Sequence, residues 1–182
     1  MSRNEYEYDY EVGTDPPRRA AAVERDPARD ALARRIATVV AATFVVVGIL
    51  GFVPGITQDV DLMEFSGHES GAELFGIFEV SVLHNIVHLL FGVVGLALAR
   101  RADTARAFLI GGGIVYLVLA AYGVAIDHDG DANFIPVNGA DNWLHLGLGV
   151  GMIALGLLTL PRHRRPVDPA ARVRPRRGSA AT

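Results

Sequence analysis

Long apolar runs alternate with short polar segments through the middle of the chain, and this pattern organises everything else. The runs cover residues 36–53, 82–99, 105–126 and 142–160. Arg106 is the only Asp, Glu, Lys or Arg that falls within them. Each run approaches the ~20 residues that an α-helix needs to cross a bilayer. The sequence therefore predicts an all-α, polytopic membrane protein with four transmembrane helices in a bundle.

Residues with short polar side chains precede each run, where they can accept hydrogen bonds from the free N–H groups of a helix start. The predicted N-caps are Asp26 (followed by Pro27), Ser81, Asp103 or Thr104, and Asp141. Between the first two spans, Ser70 and Glu73 have the spacing of a capping box, which predicts a short interfacial helix over residues 72–78. An alternative is one continuous helix from Glu73 to Ala99.

The two ends of the chain are polar and lie outside the predicted bundle of residues 26–161. Residues 1–25 form an acidic segment interleaved with tyrosines, and residues 162–182 are rich in arginine and proline. Neither segment has enough apolar surface to offset the entropy lost on folding. Both are predicted to be disordered tails.

The distribution of arginine predicts the orientation. All 17 basic residues are arginines: seven precede the first span, three (Arg100, Arg101 and Arg106) lie around the junction of the second and third spans, and seven follow the fourth. Because basic residues near span ends stay on the cytoplasmic side, both termini are predicted to be cytoplasmic in the cell membrane. The spans then form two hairpins.

An internal repeat relates the second span to the fourth. Residues 85–98 and 142–155 both fit Asn-x-x-His-Leu-x-x-Gly-Val-x-x-(Leu/Ile)-Ala-Leu. Asn85 and His88 in the first copy match Asn142 and His145 in the second. The repeat predicts two similar hairpins with these four residues at the outer ends of equivalent helices, where they form a structural polar cluster.

Three roles are open for this polar cluster. In the first, the side chains hydrogen-bond between helices and organise the outer end of the bundle. In the second, His88 and His145 bind haem, or histidine joins carboxylates in a metal site. The candidate metal ligands are His84, Asp127, Asp129, Asp131 and Asp141. In the third, the histidines relay protons in a small transporter or channel subunit. Nothing in the spans requires catalysis or a cofactor, which favours the first role and a non-enzymatic protein.

Composition limits the chemistry and the partners further. The chain has no cysteine, which excludes disulfides, thiolate metal sites and iron–sulfur clusters. The lipid bilayer is the expected partner, with anionic lipid at Arg162, Arg164 and Arg165, and no nucleic-acid partner is expected. Gly147-x-x-x-Gly151 is typical of close helix contacts, either within this bundle or in a homo-oligomer.

The repeated segments also resemble a known family. His84-Asn85-x-x-His88, Asn133-Phe134-Ile135-Pro136-Val137-Asn138 and Asp141-Asn142-Trp143-x-His145 occur in this order. They resemble an uncharacterised bacterial membrane family, domain of unknown function 4383, from about Thr38 to Leu160. The resemblance implies a small four-helix integral membrane protein and implies no activity. Ser81 departs from the asparagine usual in the family, but it is another capping residue.

Overall fold

The computed structural model of the protein describes residues 26–161, and four α-helices dominate this part of the chain. They are α1 (Pro27–Leu50), α2 (Val82–Leu98), α3 (Ala102–Ala125) and α4 (Gly139–Leu158). Three of them, α1, α3 and α4, are long and apolar enough to cross a membrane, whereas α2 is an apolar helix of 17 residues. The predicted fold class is confirmed. The two predicted tails, and Arg162, Arg164 and Arg165, lie outside the described residues.

Two of the predicted helix starts are confirmed by their hydrogen bonds. The Asp26 carboxylate accepts from the backbone N–H groups of Ala28 and Arg29, at 3.1 and 3.3 Å. The Ser81 hydroxyl accepts from the N–H of His84 at 3.1 Å. In both cases a side-chain oxygen satisfies N–H groups that have no partner within the helix.

The predicted caps of the third and fourth helices are wrong. α3 begins at Ala102 after Arg101, without a side-chain cap, and the hydroxyl of Thr104 instead donates to the carbonyl of Leu98 at 2.5 Å. α4 begins three residues earlier than predicted because Asn138 is its N-cap and Asp141 is the third helical residue. Their side chains form a reciprocal capping box, so Asp141 contributes to the start without being the cap.

The first span ends at Leu50, before the predicted end at residue 53. The hydroxyl of Thr57 donates to the carbonyl of Leu50 at 3.0 Å, and the N–H of Gly51 still bonds to the carbonyl of Val47. When a side chain further along the sequence donates a hydrogen bond to a carbonyl at the helix end, that carbonyl has a partner without another turn of helix. The helix therefore ends before Pro54 is reached.

The predicted interfacial helix over residues 72–78 is also wrong, and so is the alternative of a continuous helix from Glu73. A small antiparallel sheet occupies this region, in the order β1 (Thr57–Gln58), β2 (Ala72–Leu74), β3 (Phe78–Val80), with a 3₁₀ turn at Val60–Leu62. The turn between β2 and β3 has positive φ angles of 57° at Phe75 and 67° at Gly76. Such angles end a right-handed helix.

Ser70 explains why the apparent capping box does not start a helix. Its hydroxyl donates to the carbonyl of Val80 at 2.6 Å and accepts from the N–H of Glu64 at 3.3 Å. These bonds attach the segment before β2 to β3. Ala72 and Leu74 are buried while Glu73 between them is partly exposed, which is the alternation of a strand.

The helices pack as two hairpins, α1 with α2 and α3 with α4, and α1 also contacts α3. Glycine allows the close approach in both hairpins. A Cβ at Gly92 would lie 2.7 Å from the carbonyl oxygen of Ala41, and a Cβ at Gly149 would lie 2.9 Å from that of Gly113. Gly92 and Gly149 therefore bring their helices together at matching positions. We call the end where α1 and α3 terminate the sheet end, and the opposite end the arginine end.

The outer surface of the bundle is apolar on every helix. Large side chains that are exposed include Val39 on α1, Val93 on α2, Val118 on α3 and Val150 on α4. A surface of this kind fits a hydrocarbon environment. Gly147 and Gly151 also lie away from the bundle, since a Cβ at either would meet no atom within 4 Å. Of the two alternatives for this pair, close packing within the bundle is therefore wrong, and contact in a homo-oligomer stays a prediction.

Candidate functional site

The polar side chains predicted from the repeat gather at the sheet end of the bundle. Asn85 is fully buried and lies directly against Gly51 at the end of α1. Asn142 is buried in the same way against Gly123 near the end of α3. Each asparagine therefore fills the space that a glycine leaves open on the other helix of its own hairpin.

The two asparagines have few hydrogen-bond partners. The Asn85 amide nitrogen lies 3.8 Å from the sulfur of Met63, a weak acceptor, and the Asn142 amide nitrogen lies 3.3 Å from Nε2 of His128. Within residues 26–161, both Oδ1 atoms are buried without a partner. The amides thus act mainly through their close fit to glycine.

His84 connects the start of α2 to the segment before α4. Its Nδ1 lies 3.0 Å from the carbonyl oxygen of Pro136, and the side chain is 4% exposed. A carbonyl can only accept, so Nδ1 carries the proton in this bond. The bond fixes the orientation of the ring.

His88 and His145 have equivalent surroundings in the two hairpins. His88 contacts the ring of Phe44 on α1 with 5.7 Å between centroids, and His145 contacts the ring of Tyr116 on α3 at 5.3 Å. The ring of His84 lies 4.7 Å from that of His88 and 6.4 Å from that of His145. Three imidazoles are thereby brought together from α2 and α4.

Neither His88 nor His145 hydrogen-bonds to another described residue, and the Nδ1 atoms of both rings are buried. An unpartnered polar atom away from water costs about 1–3 kcal/mol. Most buried polar atoms in proteins have a partner. The two imidazoles share this property with the amide oxygens of Asn85 and Asn142, so four unpartnered polar atoms lie at this end of the bundle.

A cavity of about 280 Å³ lies beside these rings. Its walls come from α1, α2, α4 and the sheet, and they are mainly aliphatic and aromatic. Among residues 26–161, the polar side chains that line it are those of Thr43, His84, His88, Asp141 and His145, and the Thr43 hydroxyl already donates to the carbonyl of Val39. Together they form a small apolar chamber with imidazoles on its wall.

The Asp141 carboxylate joins α4 to the sheet. Its Oδ2 accepts from the N–H of Asn138 at 2.9 Å and from the N–H of Glu79 at 3.1 Å. The first bond belongs to the capping box and the second reaches β3. Burial of the neighbouring Glu79 side chain raises the pKa of its carboxyl group, while His128 acts in the opposite direction.

The predicted metal ligands are only partly brought together. His84 and Asp141 both line the cavity, whereas Asp127, Asp129 and Asp131 lie in the loop between α3 and α4. The carboxylate of Asp131 is exposed and lies 3.9 Å from Nε2 of His68. Among residues 26–161, no group of three or more His, Asp or Glu side chains is arranged to hold a metal ion.

Asn133 is an organising residue that the sequence did not single out as part of the site. Its amide nitrogen donates to the carbonyls of His128 and Val137 at 3.0 and 3.2 Å, and its Oδ1 accepts from the N–H of Val137 at 3.0 Å. These bonds shape the loop that carries Pro136, the partner of His84. The sequence signal that could have identified Asn133 was its position in the Asn133–Asn138 segment, which resembles the known family.

Arg106 was also missed, and it organises the arginine end. Its side chain is 7% exposed, and the guanidinium donates to the Asp30 carboxylate at 2.7 Å and to the Thr159 carbonyl at 2.9 Å. Arg29 adds bonds to the carbonyls of Leu158 and Leu160 at 2.7 and 2.9 Å. The two arginines hold α1, α3 and the end of α4 together.

The fold and the polar site define a class of protein: a small helical membrane protein with buried asparagine and histidine at one end of its bundle. A family profile described as Domain of unknown function (DUF4383) matches residues 34–158. The chain belongs to this family, as its resemblance implied. No curated protein and no solved structure matches it.

Proposed function

We propose that the protein is a multi-pass protein of the cell membrane with a structural or accessory, non-enzymatic role. In this proposal the polar cluster of Asn85, His88, Asn142 and His145 organises the sheet end of the helix bundle. The observation that carries the proposal is the contact between an asparagine and a glycine in each hairpin, Asn85 with Gly51 and Asn142 with Gly123.

The physical reason lies in how helices associate in lipid. Lipid tails are as apolar as leucine, so association depends on close packing and on polar contacts between helices. A glycine lets the neighbouring backbone approach, and an asparagine fills that space with a polar group that is costly to expose to hydrocarbon. The pair therefore favours one register of each hairpin over alternatives shifted along the helix axis.

A double-mutant cycle tests this proposal. Gly51→Ala places a methyl group on the Asn85 side chain, and we expect a loss of about 1–3 kcal/mol in unfolding free energy, as for other overpacked sites. Asn85→Ala should restore most of this loss, because it removes the obstructing side chain. Gly123→Ala and Asn142→Ala should behave likewise. Unfolding of the detergent-solubilised protein by added sodium dodecyl sulfate gives the free energies.

Gly147→Ala is the matched control, because a Cβ at Gly147 meets no atom within 4 Å. It should leave stability unchanged or raise it slightly, since alanine favours helix more than glycine does. If Gly51→Ala and Gly147→Ala have the same effect, or if Asn85→Ala does not restore the loss, the asparagines do not set the packing and the proposal is wrong.

The absence of cysteine makes the proposed orientation easy to test. Asp131→Cys and Arg101→Cys each introduce a single thiol, one at each end of the bundle. With both termini cytoplasmic, a membrane-impermeant maleimide should label the thiol at position 131 in intact cells and the thiol at position 101 only after lysis. The opposite pattern would reverse the proposed topology. Cell fractionation with the same variants tests the membrane location.

A haem- or metal-binding redox protein using His88 and His145 is the second candidate. Its supporting observation is that neither imidazole has a partner among the described residues. An absorption spectrum and metal analysis of the purified protein decide between the two candidates. A stoichiometric chromophore or metal that is lost in the His88→Ala, His145→Ala double mutant would replace the structural proposal.

A transporter or channel subunit receives less support from the geometry. Phe44, Phe91, Phe108 and Tyr116 form a connected aromatic cluster in the bundle, with neighbouring ring centroids 4.8–5.5 Å apart. This cluster lies next to His88 and His145 and offers no series of polar groups for an ion or proton to follow.

A further inference from the structure

The cavity beside the histidines carries an inference beyond a structural role. We infer that it opens between α1 and α4, because these helices contact each other much less than the helices within a hairpin do. Val39, Thr43 and Leu144 line it and are exposed on the outer surface of the bundle. In a membrane this surface faces lipid, so a molecule would enter the cavity from the bilayer.

The size and the walls limit what can enter. A volume of about 280 Å³ lies just below the range of most ligand pockets, roughly 300–1,000 Å³, and suits one ring-sized group. Phe44 and Phe78 contribute aromatic side chains to the walls, and aliphatic side chains form most of the rest. A flat ring can pack against such walls.

The polar groups determine the chemistry of the ligand. His88 and His145 line the cavity from different helices, and neither ring has a hydrogen-bond partner among residues 26–161. His145 is only 4% exposed. A neutral imidazole has one N–H donor, so the two rings can donate to two separate acceptor oxygens.

The remaining polar groups disfavour an anionic ligand. The Asp141 carboxylate already accepts from two backbone N–H groups, and the Nδ1 of His84 already donates to Pro136. Among residues 26–161, no arginine lines the cavity. An anionic head group would lose its hydration without gaining a cationic partner, and it would face the Asp141 carboxylate.

We propose that this cavity binds the ring of a lipid-soluble quinone, with its carbonyl oxygens accepting hydrogen bonds from His88 and His145 and its tail leaving between α1 and α4. A quinone ring is flat, uncharged and carries two carbonyl acceptors. The ring satisfies both imidazoles, and its tail remains among the lipid chains.

Binding of a decyl-substituted benzoquinone to the full chain in lipid nanodiscs tests this assignment. Bound quinone is measured by its ultraviolet absorbance after the nanodiscs are separated, and the amount in empty nanodiscs is subtracted. We expect saturable binding of one equivalent. His88→Leu and His145→Leu should each weaken binding by about tenfold, as expected for the loss of one hydrogen bond of ~1.4 kcal/mol. His68→Leu, outside the cavity, should leave the Kd unchanged.

A second probe and a second variant keep the test decisive. Decylbenzene has the ring and the tail without the carbonyls, and it should bind much more weakly to the native chain. Val47→Phe places a larger side chain on the cavity wall and leaves every polar group intact, so it should abolish quinone binding in a folded protein. Equal binding of decylbenzene, unchanged binding by Val47→Phe, or no saturable quinone binding by the folded native chain would overturn the proposal.

Discussion

The ring of Phe44 stacks on the ring of Tyr116, with 5.2 Å between centroids and 23° between ring planes. Phe44 belongs to α1 and Tyr116 to α3, so this pair joins the two hairpins. Each ring also contacts the histidine of its own hairpin, His88 or His145. The stacked pair therefore lies at the centre of an arrangement in which the two halves of the bundle make equivalent contacts.

Replacing Phe44 with leucine should weaken the junction between the hairpins. The substitution keeps an apolar side chain but removes the aromatic contacts with Tyr116 and His88, and such contacts contribute about 0.5–1.5 kcal/mol beyond burial. We expect a loss of this size in the unfolding free energy, measured with sodium dodecyl sulfate in mixed micelles. Phe52→Leu, at a more exposed position, is the control. Equal stability of Phe44→Leu and the native chain would contradict the prediction.

Breaking the Arg106–Asp30 pair should destabilise the arginine end. Arg106→Leu leaves the Asp30 carboxylate and the Thr159 carbonyl without this donor, and we expect a loss of about 1.5–3 kcal/mol, the range for hydrogen bonds to charged groups. Asp30→Asn should cost less in the Arg106→Leu background than in the native chain, because the pair is already broken. Arg100→Leu, which removes an exposed arginine, is the control. Additive effects of the two substitutions would show that the pair does not couple these helices.

The sequence was sufficient to predict the helices because membrane insertion leaves a strong signal. Each run is about twenty apolar residues long, whereas its predicted ends are wrong by only a few residues. All four helices were therefore found. Asp26 and Ser81 were correctly assigned as caps because Asp26 is followed by proline at the first helical position and Ser81 directly precedes an apolar run. The repeat also located Asn85, His88, Asn142 and His145, whose identities are unusual in such runs.

The errors arose where the structure depends on contacts that are distant in sequence. Ser70 and Glu73 have capping-box spacing, but the Ser70 hydroxyl bonds to Val80 and the segment becomes strand. Asp141 resembles a cap because it directly precedes the apolar run. The actual cap, Asn138, lies in a loop whose course depends on the hydrogen bonds of Asn133. The glycines that meet Asn85 and Asn142 could not be assigned either, because local sequence does not say which helix faces which.

Removing the Asp141 carboxylate should loosen the start of α4 and its connection to the sheet. Asp141→Ala leaves the N–H groups of Asn138 and Glu79 without this acceptor, and we expect a loss of about 1–3 kcal/mol in unfolding free energy. Asp141→Asn keeps one acceptor oxygen and should cost less. Asp131→Ala removes a carboxylate from an exposed loop position and is the control. A loss in Asp131→Ala as large as that in Asp141→Ala would contradict the role given to Asp141.

The raised pKa of Glu79 predicts a stability effect that depends on pH. Burial disfavours the charged carboxylate in the folded protein, and Glu73 and Asp129 add to this effect, while His128 and His68 oppose it. An acid whose pKa is higher in the folded state than in the unfolded state destabilises the fold when it is ionised. This cost is absent below the unfolded value of about 4.5, grows as the pH rises from there towards the higher folded pKa, and is complete above the folded pKa.

Glu79→Gln should therefore stabilise the protein at pH 7.5, which is well above the unfolded pKa, and the gain should disappear as the pH falls towards 4. Thermal unfolding of both chains in the same detergent across this range measures the difference directly. Glu69→Gln removes the same charge from an exposed position near the sheet and is the matched control. The sign of the stability change at pH 7.5 distinguishes the two effects. If His128 stabilised the carboxylate more than burial destabilised it, Glu79→Gln would be less stable than the native chain. That outcome would mean that the neighbouring imidazoles, and not burial, dominate the electrostatics at this end of the bundle.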